Sequence, residues 1–210
     1  MSRIAVIDFE TTGISPTLGD RATEVAVVIL DQGCVVDRYQ SLMNAGVRIP
    51  SFITQLTGIT NDMVATAPAA ERVMREAASF VGALPMVAHN ASFDRRFWCA
   101  ELSRAGQVSS HAFACTVLLS RRLYPEAPSH RLGTLVDHFQ LPRTGRAHRA
   151  LADAEMAAEL LARIQHDLRT RHGVAQPDHG FLMAMQRCAR VALPKFMQAR
   201  TAGALSSIAA

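Results

Sequence analysis

The strand-forming run at residues 3–9, RIAVIDF, constrains this chain most. Ile4, Ala5, Val6 and Ile7 are consecutive apolar residues rather than alternating ones. A strand of that kind is covered on both faces, which predicts a central strand in a sheet flanked by helices. Two carboxylates, Asp8 and Glu10, then follow one residue apart. Residues i and i+2 of a strand face the same side, so these acids project together, about 7 Å apart at Cα for a rise of about 3.4 Å per residue. Phe9 points the other way, into the core.

The next segment, EVAVVILDQGCVVDRYQSL, gives two β-rich runs around Asp31-Gln32-Gly33, a hairpin pattern. The character changes at Pro50. PSFITQLTGIT is mixed and ITNDMV carries capping residues. Pro68 to Val81, apolar at Val73, Ala77, Phe80 and Val81, reads as an amphipathic helix opened by proline. LPMVAH is a short buried strand, and ASFDRRFWCAELSRAG a helix ended by Gly106. FACTVLLSRRLYP is a strand running into a helix that stops near Pro125, and HRLGTLVDHFQL is another helix. AHRALADAEMAAELLARIQHDLRTRHG is the longest helical segment, with Gly173 as its stop. A strand meander followed by strands alternating with helices indicates a mixed α/β sheet.

Residues 1–172 read as one domain and 173–210 as a C-terminal helical tail. Phe181, Met185, Cys188, Ala189 and Ala192 recur at helical spacing there. The tail either packs on its own domain or docks a partner. The small residues at its end are expected to fray.

A hydrophobic fraction of 49% with 19% charged residues excludes a disordered chain. The net charge of +4 is compatible with a polyanionic partner without requiring one. Lys195 is the one lysine among 22 basic residues. Four cysteines (Cys34, Cys99, Cys115, Cys188) lack CxxC spacing, which argues against a zinc ribbon and for reduced thiols. No apolar stretch approaches the roughly 20 residues that span a bilayer, and the first strand leaves no room for a signal peptide. A cytoplasmic protein without membrane association is the expectation.

Asp8 and Glu10 repel each other unless a cation lies between them. An arginine would serve, and so would a pair of divalent ions about 3.5–4 Å apart, as in phosphoryl-transfer sites. Hard oxygen ligands favour Mg²⁺ or Mn²⁺ over zinc. On its own the D-x-E pattern is equally a solvated strand end. Further acids stand in suggestive places: Asp94 in HNASFD, near a helix start after a buried strand, and Asp153 in HRALADAE, early in the longest helix. Either also suits a first-turn acid stabilised by the helix dipole. His148 precedes Asp153 by five residues, and His89 precedes Asp94 by the same interval. Context separates them. His89 ends a strand and reads as a structural histidine bonded to a loop. His148 lies in a polar lead-in with Arg143, Arg146 and Arg149, where an imidazole can reach a bound water.

VIDFETTG, LTGIT, VAHNASFDRRF and HRALADAE together resemble the motifs of the DEDDh 3′–5′ exonucleases, a group that includes the proofreading epsilon subunit of bacterial DNA polymerase III and stand-alone exonucleases. The resemblance covers roughly residues 3 to 165, with no departure at the four acids or the histidine; the tail matches nothing in it. It implies an RNase H-like fold, a five-stranded mixed sheet flanked by helices. It implies that Asp8, Glu10, Asp94 and Asp153 hold two divalent cations, Mg²⁺ or Mn²⁺. His148 would be the general base, a role that suits a residue type whose ordinary pKa lies near neutrality.

The implied substrate is a nucleic acid with a free 3′ end, with DNA favoured and a DNA polymerase subunit as a candidate partner. The turn of ETTG would offer backbone N–H groups at Thr11 and Thr12 to a terminal 3′-hydroxyl, with Gly13 bending the chain close to substrate. The threonine hydroxyls are equally suited to capping the turn. Leu56 and Phe93 are candidates to wedge the terminal base or to pack in the core. Asn90 braces the HNASFD loop or touches substrate, and Arg95 and Arg96 contact phosphate or solvent. The other classes weighed are an RNA-trimming exoribonuclease and a non-catalytic polymerase-docking module, against which the intact acids argue. A serine hydrolase would need a G-x-S-x-G elbow, which is absent.

Overall fold

The computed structural model describes residues 3–206, with side chains to residue 199. Strand β1 (Ile4–Thr11) is followed by β2 (Ala22–Asp31) and β3 (Cys34–Leu42). Helices α1 (Ser51–Thr57), α2 (Asn61–Ala65) and α3 (Ala70–Val81) come next. Then β4 (Met86–Ala88), α4 (Ala91–Arg104), β5 (Phe113–Cys115) and α5 (Thr116–Leu123) alternate. Helices α6 (Leu132–His138), α7 (Ala150–Thr170), α8 (His179–Arg187) and α9 (Leu193–Ser206) complete the described chain.

The sheet order is β3-β2-β1-β4-β5, with β1 central. β1–β2 and β2–β3 are antiparallel, whereas β1–β4 and β4–β5 are parallel. The β2–β3 hairpin turns at Gln32 (φ 50°) and Gly33 (φ 86°), two left-handed residues in succession that match the twist of the strands. β1 is covered on both faces, as its unbroken apolar run requires. Ile4 and Val6 enter one core with α7, while Ala5, Ile7 and Phe9 enter another with residues of α3 and α4. Asp8 and Glu10 continue the row of Ile4 and Val6, so they emerge on the α7 side. α7 meets that face with Ala150, Ala154, Ala157 and Ala158, all buried, whose small side chains let the helix lie close to the sheet. The close approach brings the first turn of α7 to the end of β1. β4 pairs β1 only at Ala5 and Val6, which leaves the carboxyl end of β1 free to line a crevice.

The helix over 68–81 begins at Ala70, because Asn44 bridges Ala69 and its N–H donates to the Pro68 carbonyl, holding that entry extended. The tail packs on its own domain: Phe181, Leu182, Met185 and Met197 join the α7 core. Its helical spacing does not run through to Ala192. The chain is extended at Cys188, whose carbonyl accepts from Arg122 Nε at 2.9 Å, and Ala189 and Ala192 are exposed. Gln186 of α8 covers the β5 edge by accepting from Cys115 N–H (2.7 Å) and donating to the Phe113 carbonyl (3.3 Å). Of the small terminal residues expected to fray, 201–206 continue α9, and 207–210 lie outside the described residues. The four cysteines are free, and none of the described helices is long and apolar enough to cross a membrane.

Candidate active site

Asp8, Glu10 and Asp153 each place a carboxylate oxygen within 4.8 Å of the others. Strand pleating brings the first two together and the first turn of α7 supplies the third. Burial, followed by the charges of Asp94, Glu10, Asp153 and Glu24, pushes the Asp8 carboxyl well above the usual range. Glu10 is pushed up to about 8 by burial and then by Asp153 and Glu24, with Arg149 opposing. Asp153 is also raised by burial, against the stabilising His148 N–H. An acidic cluster in this condition suits a divalent cation, which removes the repulsion and favours the ionised forms. The donor set is all oxygen, as hard cations require.

Asp94 does not bring an oxygen into that group of three. It is 2% exposed, in the first turn of α4. Its Oδ1 accepts from Phe9 N–H at 3.3 Å. Burial raises its carboxyl to about 8, while its own and the Phe9 amide work the other way. In this geometry it touches the strand that carries Asp8 and Glu10 and adds to their charge.

His148 is exposed, just ahead of α7, and has φ 60°, unusual for a side chain of its size. Its N–H donates to Asp153 Oδ2 at 3.2 Å, which fixes the loop against the acid it accompanies. The next residue is anchored more firmly. Arg149 forks onto Glu24 of β2, Nη2 to Oε1 at 2.7 Å and Nε to Oε2 at 3.1 Å. Glu24 also accepts from Ala150 N–H (3.0 Å) and Gln40 Nε2 (2.7 Å). Burial pushes Glu24 up, but the Arg149, Ala150 and Gln40 bonds outweigh it and hold it below the usual range. Sequence reading passed over this residue, although a glutamate within the apolar run of β2 was a visible signal.

The turn after β1 is braced from within. Thr12 N–H donates to the Arg21 carbonyl (2.9 Å), so it is not available to a 3′-hydroxyl as the sequence suggested. Thr12 Oγ1 accepts from Arg21 N–H (3.0 Å), and Thr11 Oγ1 donates to the Gly13 carbonyl (2.6 Å). The hydroxyls therefore cap the turn. A Cβ at Gly13 would overlap the Asp20 carboxylate, which accepts from Ser15 N–H at 2.9 Å. Beneath the turn, Arg21 forks onto Glu101, 1% exposed, which also accepts from Ala22 N–H. Neither residue was singled out from sequence.

A groove of 650 Å³ runs beside the acids, between the TTG turn and α1. Thr11, Thr12 and Gly13 line one wall, and Leu56 (48% exposed) with Phe52 (64%) lines the other. Phe93 reaches the groove while its ring packs on Phe97 at 4.9 Å, so it serves the core as well. Asn90 has φ 68° and lies outside this groove; its carbonyl accepts from Phe93 N–H, which braces the helix start. Arg95 and Arg96 are exposed, and Arg96 Nε donates to the Ser92 carbonyl. His89 is the loop-bonded histidine expected, with Nδ1 2.9 Å from Thr116 Oγ1 and Nε2 3.1 Å from the His130 carbonyl.

The family described as RNase_T exonuclease matches residues 5–161, a span holding all four acids and His148. The chain belongs to this exonuclease family. It is 38% identical over 168 residues to the 3′-5′ exonuclease DinG of Bacillus subtilis (strain 168), covering 80% of this chain and 18% of that protein. It is 37% identical over 164 residues to the PolC-type DNA polymerase III of the same organism, covering 77% of this chain and 11% of the polymerase. The chain thus spans less than a fifth of these relatives. Exonuclease X, solved in complex with 5′ overhanging duplex DNA, is 30% identical with a TM-score of 0.65, over 78% of this chain and 91% of that one. The nuclease domain of 3′hExo, a DEDDh family member bound to rAMP, is 21% identical with a TM-score of 0.67, over 79% and 92%, and shares the fold. The DEDDh resemblance and the RNase H-like, five-stranded mixed sheet are both borne out.

Proposed function

We propose that this chain is a metal-dependent 3′–5′ exonuclease that releases nucleoside 5′-monophosphates from the 3′ ends of DNA. The observation that carries this reading is the convergence of Asp8, Glu10 and Asp153 within 4.8 Å. Arg149, the cation acting on Glu10, is already forked onto Glu24, so the cluster keeps an unmet demand for positive charge. Exonucleases of this family are metal-dependent, and these three acids with Asp94 beside them would hold Mg²⁺ or Mn²⁺. Divalent ions supply Lewis acidity at the phosphate and stabilise the departing 3′ oxygen.

The chain's own residues do the rest. His148 borders the catalytic groove next to Asp153 and takes the proton of the attacking water. The braced TTG turn and the exposed Leu56 and Phe52 receive the terminal nucleotide, which holds the strand end without reading its sequence. DNA is favoured over RNA because relatives similar to this chain in sequence include DinG and the PolC-type DNA polymerases. A proofreading or repair role, in association with a polymerase subunit, is consistent with the same relatives, and the four free thiols suit a cytoplasmic setting.

The test is hydrolysis of 3′-labelled single-stranded DNA, duplex with a 3′ mismatch, and RNA, each with and without Mn²⁺. Labelled mononucleotide from DNA, only with metal, is the expected result. Faster trimming of a matched RNA strand would reassign the substrate, and binding without hydrolysis would favour the docking module.

A further inference from the structure

Thr12, Gly13, Ile14 and Asp20, which line one wall of the catalytic groove, belong to a single loop, 12–21, between β1 and β2. The loop closes on itself at its neck. Thr12 N–H donates to the Arg21 carbonyl at 2.9 Å, and Arg21 N–H donates to Thr12 Oγ1 at 3.0 Å. The neck abuts an irregularity in the strand pairing. Glu10 pairs Glu24 but Thr11 pairs Ala22, so Thr23 is an extra residue in β2, a bulge that re-aims the chain beside the acids.

Whatever holds Arg21 therefore holds this wall. The Arg21 side chain is 14% exposed and does not line the groove. Its Nε and Nη2 fork onto Glu101 of α4, each at 2.9 Å, and Nη1 donates to the Ala45 carbonyl at 3.0 Å. Glu101 also accepts from Ala22 N–H at 3.2 Å, and from Arg104 Nη1 at the longer distance of 3.4 Å. Glu101 follows Asp94 by seven residues, two turns along the same face of α4. Both carboxylates accept from a backbone N–H of the sheet, Asp94 from Phe9 and Glu101 from Ala22. One helix face thus grips β1 and β2 with one acid each.

We infer that Arg21 and Glu101 are positioning residues: their ion pair fixes the loop 12–21 from behind and so sets the affinity of the groove for the 3′-terminal nucleotide. The inference rests on the exonuclease reading and adds to it a residue pair outside the groove. Stability alone does not call for such a pair, since neutral or apolar replacement of both partners of a buried ion pair often costs little. A guanidinium–carboxylate fork supplies fixed geometry instead.

The test compares Arg21→Met, Arg21→Met/Glu101→Gln and Arg21→Lys with wild type, each first placed on a urea unfolding curve. Arg21→Met leaves the Glu101 charge buried with Arg104 alone and should be the least stable. The double variant removes both charges while the glutamine carbonyl still accepts from Ala22 N–H, so it should regain much of that loss. Activity is read on the 4-nitrophenyl ester of thymidine 5′-monophosphate, which presents a single nucleotide. KM should rise roughly tenfold in Arg21→Met and in the double variant, with kcat within about twofold of wild type and Arg21→Lys in between. Hydrogen exchange at the Thr12 amide should quicken at least about tenfold relative to the amides of β1. A double variant that recovers wild-type KM along with its stability would overturn the inference, and so would a fall in kcat alone at unchanged KM. If wild type hydrolyses neither the ester nor 3′-labelled DNA, the exonuclease reading fails instead. The positioning then stands or falls on exchange: a faster Thr12 amide in the double variant supports it, and an unchanged one overturns it.

Discussion

Arg149 holds Glu24 in a two-pronged ion pair at 2.7 and 3.1 Å, and Glu24 is wholly buried in β2. The pair joins the central sheet to the residue that follows His148 and precedes α7. The position of the candidate general base and that of Asp153 therefore depend on a carboxylate outside the family pattern. Glu24→Ala should cost about 2–3 kcal/mol in urea unfolding. That is less than the roughly 3–5 kcal/mol for fully buried pairs, because Arg149 is 32% exposed. Its kcat should fall in parallel, even though Glu24 touches no substrate. An unchanged kcat in a destabilised protein would show that the loop keeps its place without the anchor.

Asp8→Asn separates function from stability. The amide keeps the shape of the carboxylate and removes one of the crowded charges. Hydrolysis should drop by at least about a thousandfold, a loss of several kcal/mol of transition-state stabilisation. In EDTA the variant should nevertheless melt at a higher temperature than wild type, since burial and neighbouring charges penalise ionised Asp8. Parallel melting curves and activity assays check both halves.

The acids also set the pH dependence of the metal-free protein. Glu10 and Asp94 are each raised to about 8 when folded, from 4.5 and 3.8 in the unfolded chain. The folded state therefore binds protons that the unfolded state has released, so their contribution is full below about pH 4 and is lost as pH rises through 8. Melting temperature in EDTA should fall across that window. Mg²⁺ should close the gap progressively towards pH 8, because it binds the ionised forms.

His89 contributes with the opposite sign. Burial pushes its imidazole down to about 4, against an ordinary value of 6.5. Its contribution is present above pH 6.5 and is lost as pH falls towards 4. His89→Gln should flatten the stability profile between those limits and leave the region above pH 7 parallel to wild type, as denaturant titrations at stepped pH would show.

Gly13→Ala should destabilise by about 1–3 kcal/mol, because the new methyl overlaps the Asp20 carboxylate. Combined with Asp20→Ala, which clears the space, the loss should be smaller than the sum of the two single losses. A double-mutant cycle on unfolding free energies measures that coupling.

The residues that announced themselves in sequence are those whose placement follows from local periodicity. Asp8 and Glu10 share a face because a strand has period two, and Asp153 sits in the first turn of a long alanine-rich helix. The hairpin at Gln32-Gly33 was equally legible from its turn chemistry. What sequence could not supply was partnership across the chain. Glu24 with Arg149 and Arg21 with Glu101 are separated by 125 and 80 residues, and only the fold brings them together. Thr12 was read as offering its amide because nothing local shows that the Arg21 carbonyl returns to take it. Asp94 was read as the fourth acid of a metal-holding set, and the start of α4 buries it with its oxygens outside the group formed by the other three. The helix-like spacing of Phe181 through Ala192 misled in a similar way, since Arg122 holds the chain extended at Cys188.

The central claim is that Asp8, Glu10 and Asp153 form a divalent-cation site that removes nucleotides from a 3′ end. The most direct measurement follows a single-stranded DNA carrying distinct labels at its two ends, with wild type and Asp8→Ala, in Mn²⁺ and in EDTA. The expected result is stepwise release of nucleoside 5′-monophosphate from the 3′ label by wild type in Mn²⁺ alone. Release that begins at the 5′ label, or that persists in EDTA or in Asp8→Ala, would contradict it.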